Sequence, residues 1–436
     1  MKKFLILSTI LFLLVVRFVA LETSPPGFYV DEAAGAAHVL CFAKDGANFH
    51  GEPWPLWSVS LANGLTSPVF LYLQTGWTCI FGTSPSGFRS LSAFAGVITI
   101  VATVFIAFRF AGLEAAIWTL LAGLVSPWGF SMSRIAWDAP FAPMFLMAGI
   151  AIAVNCRSRW AAMIAGILLA LSMYSYPPFY FQTSLILILL IVFRKHLGLS
   201  FRGLAFLFFG FFVAVLPMIP QILNGRLIAR TSAIGLWVVH PSNPVGGKQP
   251  LALLAQYLKN ILSHLHPNFL LIHGDTNLRH STGFGGVLSW FDAAVILMLI
   301  AIIVRYAWRR QWALSKIGFP IGFAAVGWLT ALMAASLTWE SIPHALRSIG
   351  GWPFVILLTG LGAHRFVGLQ KRAKPVLVGI ALLFTAFYLT DYFFRYPQRS
   401  ASWFDADIKA KALTGQKPGN YPDLAWTYFQ MEYLKK

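Results

Sequence analysis

The amino-acid sequence predicts an all-α, polytopic membrane protein with about eleven transmembrane helices, and three observations predict it. Hydrophobic residues make up 58% of the 436 and charged residues 11%, with mean hydropathy +0.69, where a soluble domain carries about a quarter charged residues. The chain holds repeated apolar runs near the ~20 residues that a bilayer crossing needs. Its cations gather in short segments between alternate runs, as the positive-inside rule requires.

The elements follow in order. Residues 4–21 form the first span, preceded by Lys2 and Lys3; the run reads like a signal peptide but lacks a small-x-small cleavage site, so it is expected to stay uncleaved. Arg17, the charge nearest the bilayer interior, is placed to snorkel outward. A long outer loop, 22–88, carries a helix over Ala33–Ala43 and an apolar, Trp-bearing interfacial helix over Ser67–Phe81, too short to span. Spans follow at 89–108, 113–131, 138–155, 160–174, 179–193 and 203–222. A second long outer segment, 223–285, contains an amphipathic helix over Leu251–Leu265. The last spans are 286–304, 317–337, 350–366 and 375–392. Residues 1–394 thus form one transmembrane module, and 395–436 a short polar tail on the outer face. Irregular backbone cannot face lipid, so both long segments must sit above the bilayer or line a cavity.

With the N-terminus in the cytoplasm, the inner segments hold 16 of the 33 basic residues, among them Arg109, Arg157, Arg159, Arg194, Lys195, Arg309, Arg310, Lys316 and Lys374. The net charge of +18 is therefore topological, and nucleic acid is not an expected partner. Of the 15 carboxylates only Glu114 falls inside. Cys41, Cys79 and Cys156 form no metal or redox spacing and read as small apolar fillers.

Four outer constellations carry candidate chemistry. In Pro25-Pro26-Gly27-Phe28-Tyr29-Val30-Asp31-Glu32 two acids open a helix, where they either stabilise its N-terminus or hold one carboxylate as a general base. Side chains there diverge by about 100°, so one acid faces a substrate while the other supports it. Ser133-Arg134-Ile135-Ala136-Trp137-Asp138 is a short turn whose Arg134 and Asp138 either pair with each other or contact a substrate. Gly274-Asp275 to Arg279-His280-Ser281 and His344-Ala345-Leu346-Arg347 bring cations to the same face, suited to phosphate oxygens or to lipid headgroups. A metal set of His264, His266 and His273 is the weaker reading of the loop histidines. A lipid-phosphate sugar donor suits this set: the phosphate leaves readily, so one carboxylate base plus cations suffices.

At these residues the chain resembles the family 39-like membrane glycosyltransferases of the GT-C fold, which include protein O-mannosyltransferases and lipid A aminoarabinose transferases. Pro-Gly-Phe-Tyr-Val-Asp31-Glu32 is similar to that family's first-loop acidic motif, and Ser133-Arg134-Ile135-Ala136 to its turn between the third and fourth spans. Gly274 to Ser281, His344 to Arg347 and Asp391-Tyr-Phe-Phe-Arg-Tyr-Pro397 are similar to segments of bacterial relatives. The resemblance implies a polyprenyl-phosphate sugar donor used on the outer face of the plasma membrane, and a lipid, glycan or protein acceptor. It implies Asp31 as catalytic base with Glu32 beside it; Arg279, His280, His344 and Arg347 become donor-phosphate contacts, and a divalent cation is admitted. Two departures stand out. Leu65-Thr66-Ser67-Pro68-Val69 lacks the Lys or His and the second Pro that relatives place before the interfacial helix, and Tyr174–Tyr180 lacks their Arg. The rival readings are a lipid or solute transporter, which would need charges buried in mid-span, and a non-catalytic assembly protein for envelope polysaccharide.

Overall fold

The computed structural model describes residues 2–61, 64–227, 229–308 and 318–433. Arg309, Arg310 and Lys316 of one expected inner loop lie outside them. The chain begins with α1 (Lys2–Val15), extended by a 3-10 turn, Val16–Phe18. The first loop holds α2 (Val30–Asp45), a two-residue hairpin of β1 (Ser58–Val59) with β2 (Leu65–Thr66), and α3 (Pro68–Phe81). Next come α4 (Pro85–Val125), α5 (Pro127–Met132), α6 (Phe141–Asn155), α7 (Arg159–Ser175), α8 (Pro178–Val192), α9 (Arg194–Leu197) and α10 (Phe201–Val215). The second long segment contains α11 (Ile219–Leu223), α12 (Ala229–Ile234) and α13 (Pro250–His264). The remainder is α14 (Trp290–Trp308), α15 (Phe319–Ala335), α16 (Trp352–Leu369), α17 (Ala373–Phe394), α18 (Tyr396–Ser400), α19 (Ile408–Leu413) and α20 (Asp423–Tyr433).

Local sequence explains most boundaries. Ser67, Ser84 and Ser126 each precede a proline at the first helical position, and each hydroxyl accepts a backbone N–H of the first turn. That is the capping arrangement proline tolerates, because its missing N–H would be unpaired there anyway. Gly46 closes α2 in the left-handed conformation. Within α4, Gly112 at φ +79 breaks the helix between the two expected spans, and Ile100 packs on Gly123, so the chain doubles back.

Among the described residues each expected span contains helix. Four stretches, Pro85–Val125, Phe201–Leu223, Ile349–Leu369 and Ala373–Phe394, are long and apolar enough to cross a membrane, which makes the chain a membrane protein. Phe105, Leu113, Phe212 and Leu383 are exposed apolar side chains on these helices, as a lipid-facing surface demands. Helices approach closely where side chains vanish. A Cβ on Gly166 would lie 1.9 Å from the Leu207 carbonyl oxygen, and one on Gly210 would lie 2.2 Å from that of Met163. Glycine thus permits the α7–α10 contact, the small-residue packing of membrane helices.

The buried apolar side chains form two clusters, one through the helix bundle and a second at one end of it, where α2, α3, the start of α4 and α20 meet. Arg17 departs from the expectation that it snorkels: it is fully buried, donating to the carbonyls of Gly123 at 2.8 Å and Gly129 at 3.3 Å. Backbone oxygens near the ends of α4 and α5 provide the acceptors.

Candidate functional site

The site builds from α2. Its first turn carries Asp31 and Glu32, and the two divide as the helical angle requires: Asp31 is exposed while Glu32 is fully buried. Arg89, near the N-terminal end of α4, holds Glu32 from both sides, Nε to Oε1 at 2.8 Å and Nη2 to Oε2 at 2.7 Å. Glu32 Oε1 also accepts the Ala136 N–H at 2.7 Å. Arg89 spends its remaining donors on the carbonyls of Leu21, Pro25 and Gly27. Both Glu32 oxygens are therefore occupied, and this acid supports the turn instead of facing a substrate.

Arg134 is likewise buried. It does not reach toward solvent; its guanidinium donates to the carbonyls of Val16 at 3.1 Å, Arg17 at 2.8 Å, Val19 at 2.6 Å and Ser24 at 2.8 Å. These bonds satisfy the orphan carbonyls that end the first helix. Its neighbour Asp138, by contrast, is half-exposed.

Tyr29, two residues before Asp31, carries the Arg279 guanidinium on its ring. Burial pushes its phenol well above the ordinary tyrosine range, the charges of Asp31, Glu32 and Asp138 push the same way, and Arg279 opposes them. Arg279 stacks on the Tyr29 ring at 4.6 Å and on Trp403 at 5.6 Å, and its Nε donates to the Trp403 carbonyl at 2.6 Å. Trp137 packs edge-on against Tyr29 at 6.3 Å and lies 5.8 Å from the His280 ring, linking this cluster to a second one.

The second cluster is Asp275, His280 and His344, all buried, with one ligand atom from each within 4.8 Å of the others. Asp275 Oδ2 lies 3.2 Å from His280 Nδ1 and 3.7 Å from His344 Nδ1. One carboxylate and two imidazoles are donor types that hold a zinc-like divalent cation, and His344 Nδ1 here accepts the Arg347 N–H at 3.3 Å. The backbone N–H of Ala345 also donates to Asp275 Oδ2, at 2.8 Å, and orients the carboxylate. His264 stands outside the set: its ring bonds the Asn260 carbonyl and accepts the His344 N–H, and burial lowers its pKa to about 4. Among the described residues the metal-type grouping is thus Asp275–His280–His344 in place of His264, His266 and His273. Arg347 is buried and tied to the Glu340 carbonyl at 2.6 Å, its carboxylate at 3.3 Å and the Thr338 hydroxyl at 2.9 Å. Beside the cluster opens a cavity of about 380 Å³ lined by Lys259, Ser263, His266, Asn268, Thr276 and Ser341 among others.

Three participants escaped the sequence reading as site residues: Asp275, Arg89 and Trp403. Asp275 sits in a motif already singled out, and Arg89 is a cation at the mouth of an apolar run. No local signal marks Trp403.

No family model and no curated protein sequence matches the chain. Among solved structures it is similar to ArnT from Cupriavidus metallidurans in the apo state, at TM-score 0.58 and 14% identity over 99% of this chain and 85% of that one. The same protein bound to undecaprenyl phosphate gives TM-score 0.57 and 13% identity over 98% and 85%. Archaeoglobus fulgidus oligosaccharyltransferase AglB, in complex with an inhibitory peptide and a dolichol-phosphate, aligns at TM-score 0.49 and 14% identity over 100% and 60%, too distant to bear on the reading. The chain has the GT-C fold of membrane glycosyltransferases.

Proposed function

We propose that this chain is a glycosyltransferase that moves a sugar from a polyprenyl-phosphate carrier to an acceptor on the extracytoplasmic side of the membrane. The observation that carries the reading is Asp31. It is an exposed carboxylate on a turn locked by buried Glu32 and Arg89, two residues after Tyr29, whose ring carries Arg279. A rigid mount with one accessible acid suits a general base. The shared fold with a protein seen bound to undecaprenyl phosphate supports the donor class.

In this mechanism Asp31 takes the proton of an acceptor hydroxyl or amine as its oxygen or nitrogen bonds the anomeric carbon. The carbon–oxygen bond to the carrier breaks, and its electron pair stays on the lipid phosphate. Arg279 meets part of the developing charge, and Asp138 orients the sugar or the acceptor. Lys259, in the adjoining cavity, supplies a cation that the altered start of the interfacial helix does not. Asp275, His280 and His344 would hold a divalent cation, whose charge would stabilise the departing phosphate. The N-terminus lies in the cytoplasm and the tail outside, which follows from the placement of the basic residues.

The deciding measurement is transfer from radiolabelled polyprenyl-phosphate sugars in membranes carrying wild-type chain or Asp31→Asn. Label should reach a lipid, glycan or protein with the wild type alone. Equal label from both would remove Asp31 from the mechanism. No label from either, across a panel of donors and acceptors, would overturn glycosyl transfer.

A further inference from the structure

The segment Asp391–Asp405 ends the last long helix and passes across the outer face, and its contacts fall on two sequence-distant parts of the site. On one side it holds the large loop. The Tyr396 hydroxyl donates to the Leu278 carbonyl at 2.6 Å, and the Trp403 carbonyl accepts Arg279 Nε at 2.6 Å. Arg399 donates to the Thr282 carbonyl at 2.7 Å while its fork pairs with buried Asp391, at 2.9 Å to Oδ1 and 2.6 Å to Oδ2. Three bonds thus grip residues 278–282, which carry Arg279 and His280.

On the other side the same segment holds the acidic turn. The Tyr392 carbonyl accepts the Ser24 hydroxyl at 2.8 Å. Phe404 packs edge-on against Tyr29, with ring centroids 5.7 Å apart. Its backbone lies directly on Gly27: a Cβ there would meet the Phe404 carbonyl oxygen at 2.2 Å and Ala406 Cα at 2.7 Å. Gly27 has φ +64, so both conformation and closeness demand glycine.

Resting on the transferase reading, we propose that Asp391–Asp405 is a positioning clamp, with Arg399 and Tyr396 fixing the Arg279–His280 loop against the turn that bears Asp31. Neither residue touches reacting atoms. Each acts through the loop: Arg399, anchored on Asp391, and Tyr396 hold backbone carbonyls on either side of Arg279. Catalytic geometry must be kept to within about 0.5 Å, and a loop gains that precision only from such supports.

The test uses the full-length chain in nanodiscs, comparing wild type, Arg399→Ala, Arg399→Lys and Tyr396→Phe by transfer kinetics and by amide hydrogen exchange. Arg399→Ala should raise the donor KM roughly ten-fold, the scale of one lost charge-assisted bond, with kcat changed far less. Arg399→Lys should recover part of that loss, Tyr396→Phe should act in the same direction more weakly, and the pH profile should not move. Exchange should quicken at 278–282 and at 27–33 together. Unchanged kinetics in both Arg399→Ala and Tyr396→Phe would overturn the clamp. So would a uniform loss with a fall in thermal stability and no rescue by lysine. If the wild type transfers no sugar from any donor, the transferase reading fails, and exchange alone judges the clamp: quickening confined to 391–400 refutes it.

Discussion

Asp31 and Glu32 are adjacent and chemically alike, yet their surroundings assign them different work. Glu32 and Arg89 form a fully buried, two-pronged pair that also receives a backbone N–H from the 133–137 turn. Removing one partner of such a pair leaves an uncompensated buried charge, at a cost of about 3–5 kcal/mol. Glu32→Ala is therefore expected to lower the thermal unfolding temperature in detergent sharply, and any activity loss to follow loss of fold. Asp31→Asn should leave that temperature close to wild type while abolishing transfer. Similar melting curves for the two variants would contradict this division.

At the scale of elements, α2 is tied to the loop after it through His38. Its Nδ1 accepts the Phe49 N–H at 3.4 Å and lies 3.1 Å from the Ser58 hydroxyl. Burial, followed by the nearby charge of His50, lowers its pKa to about 4 from an ordinary 6.5. The neutral ring is the one that fits, so its contribution is complete above pH ~6.5 and is lost as pH falls toward 4, up to about 3 kcal/mol. Thermal stability should decline over that window, and His38→Asn should flatten the decline; an unchanged slope would count against His38 as its source. The α7–α10 contact makes a second element-scale prediction. Gly166→Leu cannot be accommodated against the Leu207 carbonyl, so the helices must separate, and the variant should express poorly as folded protein on size-exclusion chromatography.

For the molecule as a whole, one face joins segments from nearly the full length of the chain: α2 from the first loop, the 133–138 turn, the 275–280 loop, the 344–347 turn and the tail. The Asp275–His280–His344 cluster draws on two of these, so a bound cation would tie them together as well as supply charge. Purified protein is expected to carry about one divalent cation per chain by elemental analysis. His280→Ala should lose that ion, and a chelator should lower the unfolding temperature of wild type but not of the variant. A metal-free wild type with full activity would remove the cation from the mechanism.

Composition and periodicity by themselves determined that the chain is a helical membrane protein and where its helices run. Apolar length and Ser-Pro caps are local properties, and bilayer thickness translates them into elements. Helices over 33–43, 67–81 and 251–265 were legible for the same reason and were found as Val30–Asp45, Pro68–Phe81 and Pro250–His264. The adjacent acids were legible as a pair whose side chains must diverge. Only the tertiary structure decided which of them is buried, because that depends on Arg89, 57 positions away. Arg134, on sequence a candidate substrate contact, is occupied by carbonyls that become acceptors only once the first helix ends beside it. Asp275 with Ala345, and the tail with Arg279, are partnerships across 70 and 124 positions. Nothing local encodes such pairs, since they exist only where the packed bundle brings separate loops to one face.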